Sequence, residues 1–298
     1  MVADQWIFYG LALLPAVLWG ASPILSKRGM AAGGSSLQAS LIVVIVDSTI
    51  YWTGLLLFQG VNIFTDIPLR AILIFALAGI IGTSLGRLAT FTGVDRVGAS
   101  INSAGISTRP FFATMLAAGW LGEKVTIITV IGIGILVAGL ISLTLSKGGD
   151  ITGWRPRDLL FPLGAAAAFG FGNVLRRYGL ITYRSVTELE AVALNEIAAL
   201  AVLGMYAIIK GRTDIFSAPL QSYLYFTASG TLTAIALLSL FTALRMGRVV
   251  IVDPLSATAP LFTTVFAAIF LRDLERVTTG VIFGAVLIVS GVALITLV

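Results

Sequence analysis

Runs of about twenty apolar residues follow one another along almost the whole chain, and no other feature constrains the fold as strongly. A helix needs ~20 such residues to cross the ~30 Å hydrocarbon core of a bilayer. Ten runs qualify, at roughly 6–26, 37–59, 70–93, 99–121, 125–146, 158–178, 187–209, 222–244, 250–271 and 277–297. Short polar or Gly/Pro joints separate them, such as Asp95 to Gly98 and Lys147 to Asp158. Composition agrees. Hydrophobic residues make up 58% and charged residues 11%, against about 25% charged in soluble domains, and mean hydropathy is +1.02. The chain is therefore predicted to be an all-α integral membrane protein with ten transmembrane helices. A β-barrel would show ~10-residue alternating segments instead. The first run carries Asp4, lacks a basic flank and exceeds a 7–15-residue signal core, so it is expected to remain as a span.

The chain contains no cysteine and no histidine. Disulfides, thiolate or imidazole metal sites, Cys nucleophiles and Ser-His-Asp triads are excluded with them. The net charge of +5 sits mostly in short joints rather than in a basic stripe, so nucleic acid is not an expected partner. No GxxxxGK[ST], GxGxxG or HExxH pattern occurs, which argues against ATP-driven transport by this chain alone.

Shifting the sequence by 150 residues brings its halves into register. Trp19-Gly20 lies over Phe169-Gly170, Lys27 over Arg177, and Phe91-Thr92 over Phe241-Thr242. Thr108-x-Pro110-x-Phe112-x-Thr114 meets Thr258-x-Pro260-x-Phe262-x-Thr264, and Leu121-Gly122-Glu123 meets Leu271-Arg272-Asp273. With a two-residue slip, Gly132 and Gly139 meet Gly284 and Gly291. Two five-helix units are expected, 1–148 and 149–298. Five is odd, so the second copy enters the membrane from the opposite side. The midplane interface of such an inverted repeat is the usual place for a transport site.

Trp-Gly-x(6)-Lys late in the first run, Pro110 in the fourth, the closing Leu121-Gly122-Glu123, Gly132 and Gly139 in the fifth, and the repetition of all of these carry a resemblance. The chain resembles the drug/metabolite transporter superfamily, specifically its ten-helix EamA-type members, from end to end. The resemblance implies a two-times-five helix fold, a central cavity, alternating access and both termini cytoplasmic. Relatives of this kind export amino acids and other small metabolites or take up compounds such as choline. The EamA pattern often has an arginine where this chain places an acid in the second helix, which weakens any transfer of substrate.

A charge near the bilayer centre is costly, so it faces a cavity or a partner. Asp47 lies mid-way along the second run and Glu196 mid-way along the seventh, one residue from repeat equivalence. Two such carboxylates suit proton coupling or cation recognition, because two acids in a low dielectric cannot both ionise cheaply. Structural neutralisation is the alternative. Arg87, in Gly82-x-x-x-Gly86-Arg87, and Arg109, beside Pro110, are candidate carboxylate binders or permanent partners of those acids. Asn173 reads as helix glue or ligand contact. Trp19 and Phe169 lie deep in their runs, where they stack on a ligand or simply pack. Tyr51 shares the Asp47 face, and Asn102 and Ser103 are weaker candidates of the same kind. Pro110 and Pro260 are expected gating hinges, since proline loosens a helix. Gly79, Gly82 and Gly86, with the glycine pairs of the fifth and tenth runs, read as close-packing stripes.

Joints after odd runs carry ten Lys/Arg and those after even runs seven, with Arg176 and Arg177 counted among the seven. That bias favours termini outside, against the orientation the resemblance implies. The expected function is secondary transport of a small polar metabolite such as an amino acid, by efflux or proton exchange. No cofactor or metal is expected. The chain would work as a monomer or homodimer in the inner or plasma membrane. A proton-coupled carrier of organic cations or choline-like compounds is the alternative. An intramembrane enzyme, limited to Asp/Glu/Lys/Tyr chemistry, is the reading from a different class.

Overall fold

A computed structural model describes residues 2–60, 67–146, 154–211, 217–270 and 279–296. Its regular elements are helical, and no strand occurs among the described residues. The first half contains α1 (Val2–Ala31), α2 (Ser36–Gln59), α3 (Leu69–Ala78), a π-helical segment (Gly79–Leu85), α4 (Gly86–Ile106), α5 (Arg109–Leu121) and α6 (Ile127–Leu145). The second contains α7 (Leu160–Thr182), α8 (Glu188–Ile209), α9 (Leu220–Met246), α10 (Val249–Ser256), α11 (Ala259–Phe270) and α12 (Thr279–Thr296). Among the described residues, six continuous helical stretches are long and apolar enough to cross a membrane alone. Of the other expected spans, the fifth and tenth are the single helices α6 and α12, and the fourth and ninth are each built of two pieces, α4 with α5 and α10 with α11.

Packing exchanges partners between the halves. α1 lies against α9 and α11, as α7 lies against the α3–π–α4 stretch and α5. α2 meets α8, and α6 meets α12, each with its own repeat counterpart. The glycine stripes make these approaches possible. A Cβ on Gly139 would stand 2.9 Å from Gly284 O, and one on Gly291 2.6 Å from Leu136 N. Backbones this close are the usual result of small residues at membrane helix crossings. Large apolar side chains such as Leu57, Phe58, Ile208 and Ile209 point outward, as expected where lipid is the solvent.

Two expected boundaries differ. The fourth and ninth runs are not single helices: each is interrupted just before its proline, at Ser107–Thr108 and Ala257–Thr258. Thr108 Oγ1 donates to Gly105 O and Thr258 Oγ1 to Leu255 O, so both breaks are capped alike. The expected joint at Asp95–Gly98 has no coil residue. The chain nevertheless turns sharply there, because a Cβ on Gly93 would lie 1.9 Å from Asn102 Oδ1. Residues nine apart on a straight helix would be ~13 Å apart at 1.5 Å per residue.

The Leu121-Gly122-Glu123 motif acquires a physical role. Gly122 closes α5 with a left-handed φ of 64°, where glycine avoids the Cβ penalty. Glu123 then accepts the first free N–H groups of α10, Val249 at 2.9 Å and Val250 at 3.0 Å. A carboxylate on these orphan donors is favourable. Arg177 of α7 stands 3.9 Å from the same carboxylate and donates to Leu244 O and Arg245 O at the end of α9. Leu271-Arg272-Asp273, the matching segment, lies outside the described residues.

Candidate functional site

Seven elements contribute to a central cavity of about 220 Å³: α1, the π-helical segment, α4, α5, α7, α8 and α9. The π-helical segment supplies Gly82 and Thr83, α7 supplies Phe169, Asn173 and Arg176, α8 supplies Glu196, and Trp19 enters from α1. Arg87 and Arg109 complete the charged wall. The π-helical turn has a local cause. Gly79 and Gly82 admit the neighbouring backbones, with Asn195 O 1.9 Å and Gly172 Cα 2.7 Å from the places where their Cβ atoms would be. A widened turn under that approach re-aims its side chains, and such turns recur at functional sites. Here it directs Thr83 into the polar centre.

One hydrogen-bonded chain runs through that centre. Thr83 Oγ1 donates to Glu196 Oε1 at 3.0 Å, and Asn195 Nδ2 donates to the same oxygen at 2.7 Å. Arg176 is 5% exposed. Its Nε donates to Asn195 Oδ1, its Nη2 to Thr83 Oγ1 and its Nη1 to Asn173 Oδ1. Its guanidinium also lies 5.4 Å from the Phe241 ring centroid. Asn173 Nδ2 donates to Asp253 Oδ1. Asp253 in turn holds Arg109, whose Nε is 3.2 Å from Oδ1 and whose Nη2 donates to Ser256 Oγ at 2.9 Å. Buried charges are tolerated when paired and hydrogen-bonded in this way. Glu196 Oε2 is buried without a hydrogen-bond partner.

Five of the eight expected binding residues line the cavity: Glu196, Arg109, Arg87, Trp19 and Asn173. Trp19 and Phe169, repeat equivalents, both face it. The other three do not line it. Asp47 is fully buried within Coulombic range of Glu196 and Arg87, with neither oxygen hydrogen-bonded. Tyr51 is spent on packing, its hydroxyl donating to Ala234 O at 2.7 Å. Asn102 is buried against Gly93. Pro110 and Pro260 sit in the first turns of α5 and α11, just past the two breaks.

Two expectations are corrected. Arg109 pairs with Asp253, not with Asp47 or Glu196. Arg176 is not a joint residue but the buried hub of the network, because α7 continues to Thr182, past the expected end of the sixth run. Asp253, Asn195, Thr83 and Ser256 were not singled out by sequence reasoning. Asp253 carries a legible signal, a lone acid inside an apolar run directly before Pro254. Arg176 lies three residues after Asn173, on one helical face.

An all-helical bundle of two interlocked repeats around a polar central cavity defines the class: a membrane transport protein. The EamA-like transporter family matches residues 6–145 and again 157–297, so the chain belongs to that family and with it to the drug/metabolite transporter superfamily. It is 25% identical to an uncharacterized transporter, YvbV, of Bacillus subtilis (strain 168), over 94% of this chain and 88% of that protein. It is 27% identical to a protein of Chlamydia trachomatis serovar L2 named as an S-adenosylmethionine/S-adenosylhomocysteine transporter, over 98% of this chain and 89% of the other. One solved crystal structure shares the fold with a TM-score of 0.78 at 18% identity, covering 97% of this chain and 96% of that one.

Proposed function

We propose that this transporter carries a small zwitterionic metabolite of the amino-acid class through the central cavity by alternating access, as a proton-coupled exchanger in the cell membrane. The carrying observation is the mixed charge of one wall. Arg87 and Arg109 line the same cavity as Glu196, whose Oε2 is free of hydrogen bonds. A guanidinium suits a substrate carboxylate, and Glu196 suits an ammonium group. Trp19 and Phe169 add aromatic surface for an apolar or cationic side group. The cavity is smaller than the ~300–1,000 Å³ of pockets for drug-sized ligands, which favours a compact substrate. The relative named for S-adenosylmethionine and S-adenosylhomocysteine shares with this reading only the α-amino-acid group those molecules carry, not their size.

Choline-like cations are the competing reading, because the aromatics would serve them equally. The two arginines on the wall count against it. Thermal-shift screening of purified protein with amino acids, choline-like cations and organic anions separates the two, followed by counterflow of labelled hits in proteoliposomes. Stabilisation and counterflow by an amino acid or its derivative are expected. Stabilisation by choline-like cations alone would sink the zwitterion reading.

A further inference from the structure

We propose that Arg109 and Asp253 form a clasp between the interrupted helices of the two repeats, released when a substrate carboxylate takes Arg109. The identity of the releasing ligand rests on the amino-acid reading above; the clasp does not.

Arg109 begins α5, immediately after the break at Ser107–Thr108. Asp253 and Ser256 lie in the last turn of α10, immediately before the break at Ala257–Thr258. The two helices are thus tied at the points where each repeat loses its continuous hydrogen bonding. Three hydrogen bonds make the tie: Arg109 Nε donates to Asp253 Oδ2 at 3.2 Å, and Nη2 donates to Asp253 O at 3.3 Å and Ser256 Oγ at 2.9 Å.

The guanidinium is also placed to change partners. Arg109 lines the cavity with its side chain 14% exposed, whereas Asp253 is fully buried. Its Nη1 has no protein acceptor among the described residues. A carboxylate in the cavity would meet that nitrogen first and compete with Asp253 for the rest of the fork, the geometry arginine favours. Release frees Asp253 Oδ2, while Oδ1 keeps its bond from Asn173 Nδ2, which Arg176 holds, so the buried carboxylate draws Arg109 back once substrate leaves. The pair has no twin. The repeat-equivalent positions are Ala259 and Ser103, which cannot form an ion pair. The clasp therefore is not an inherited repeat contact.

The absence of cysteine makes the test direct. Met115→Cys and Val265→Cys place spin labels on exposed positions of α5 and α11. Distance distributions are then recorded for the parent, Asp253→Asn and Ser256→Ala, with and without the amino acid that gives the largest stabilisation. A second distance population is expected in Asp253→Asn without substrate, a smaller one in Ser256→Ala, and the same population in the parent on adding substrate. Removing the internal competitor should also tighten apparent binding in Asp253→Asn by about tenfold while turnover falls. Distributions in both variants identical to the parent would overturn the clasp. A second population in the variants, with no response of the parent to any amino acid, would uphold the clasp but overturn its release by carboxylate and the amino-acid reading with it.

Discussion

Asp47 is fully buried on α2, and neither of its oxygens has a hydrogen-bond partner among the described residues. An acid held deep in the bundle without a fixed partner is the candidate proton carrier. Glu196 differs. One of its oxygens is held by Thr83 and Asn195, and the residue faces the cavity. The division of labour expected is a proton on Asp47 and substrate contact at Glu196. Asp47→Asn should abolish proton-driven accumulation in proteoliposomes while substrate counterflow survives. Glu196→Gln should weaken both. Full proton-driven transport in both variants would show that these acids are structural.

At the level of elements, the paired breaks matter more than the helices around them. Both fall two residues before a proline, and both are closed by a threonine hydroxyl on the preceding turn. Proline lacks the N–H and its ring clashes with the turn behind it, so the helix is already loosened there. Hinges are element-terminal positions that absorb backbone rotation. Pro110→Ala and Pro260→Ala should slow transport more than they weaken substrate binding, read as turnover against affinity in the same vesicles. A loss of affinity with turnover unchanged would count against hinges at these positions.

For the whole molecule, the two repeat junctions are alike in packing and unlike in chemistry. Where α1 meets α9 the buried polar groups are hydroxyls, with Ser22 Oγ 2.6 Å and Ser26 Oγ 2.8 Å from Ser229 Oγ. Where α7 meets the π-helical segment, Arg176 occupies the position equivalent to Ser26 and binds Thr83, the equivalent of Thr233. That second junction closes through glycine, a Gly172 Cβ lying 2.5 Å from Gly82 Cα. Gly172→Ala should destabilise the bundle by about 1–3 kcal/mol, the usual range for overpacking. Gly164→Ala, on the same helix with nothing within 4 Å of its Cβ, should be neutral or stabilise by up to ~1 kcal/mol. Thermal unfolding in detergent measures both, and equal losses would remove the close crossing as the cause.

Membrane class, helical content and repetition were legible in the chain itself. Each is written locally: a twenty-residue apolar run needs no partner to declare that it spans a bilayer, and Pro110 over Pro260 needs only an offset. Glu196, Trp19 and Asn173 were legible for the same reason, as polar or aromatic residues deep in apolar runs. What only the tertiary structure decided is pairing. Arg176 near the end of one apolar run, Asp253 near the start of another and Thr83 in a glycine-rich stretch become one network because helices distant in sequence cross there. Asp47 and Tyr51 share a helical face, yet the chain sends that face into the bundle wall and not into the cavity. A charge inside a membrane must find a partner, but which partner depends on helix rotation and crossing. Those are properties of packed backbones and small residues, which no single run contains.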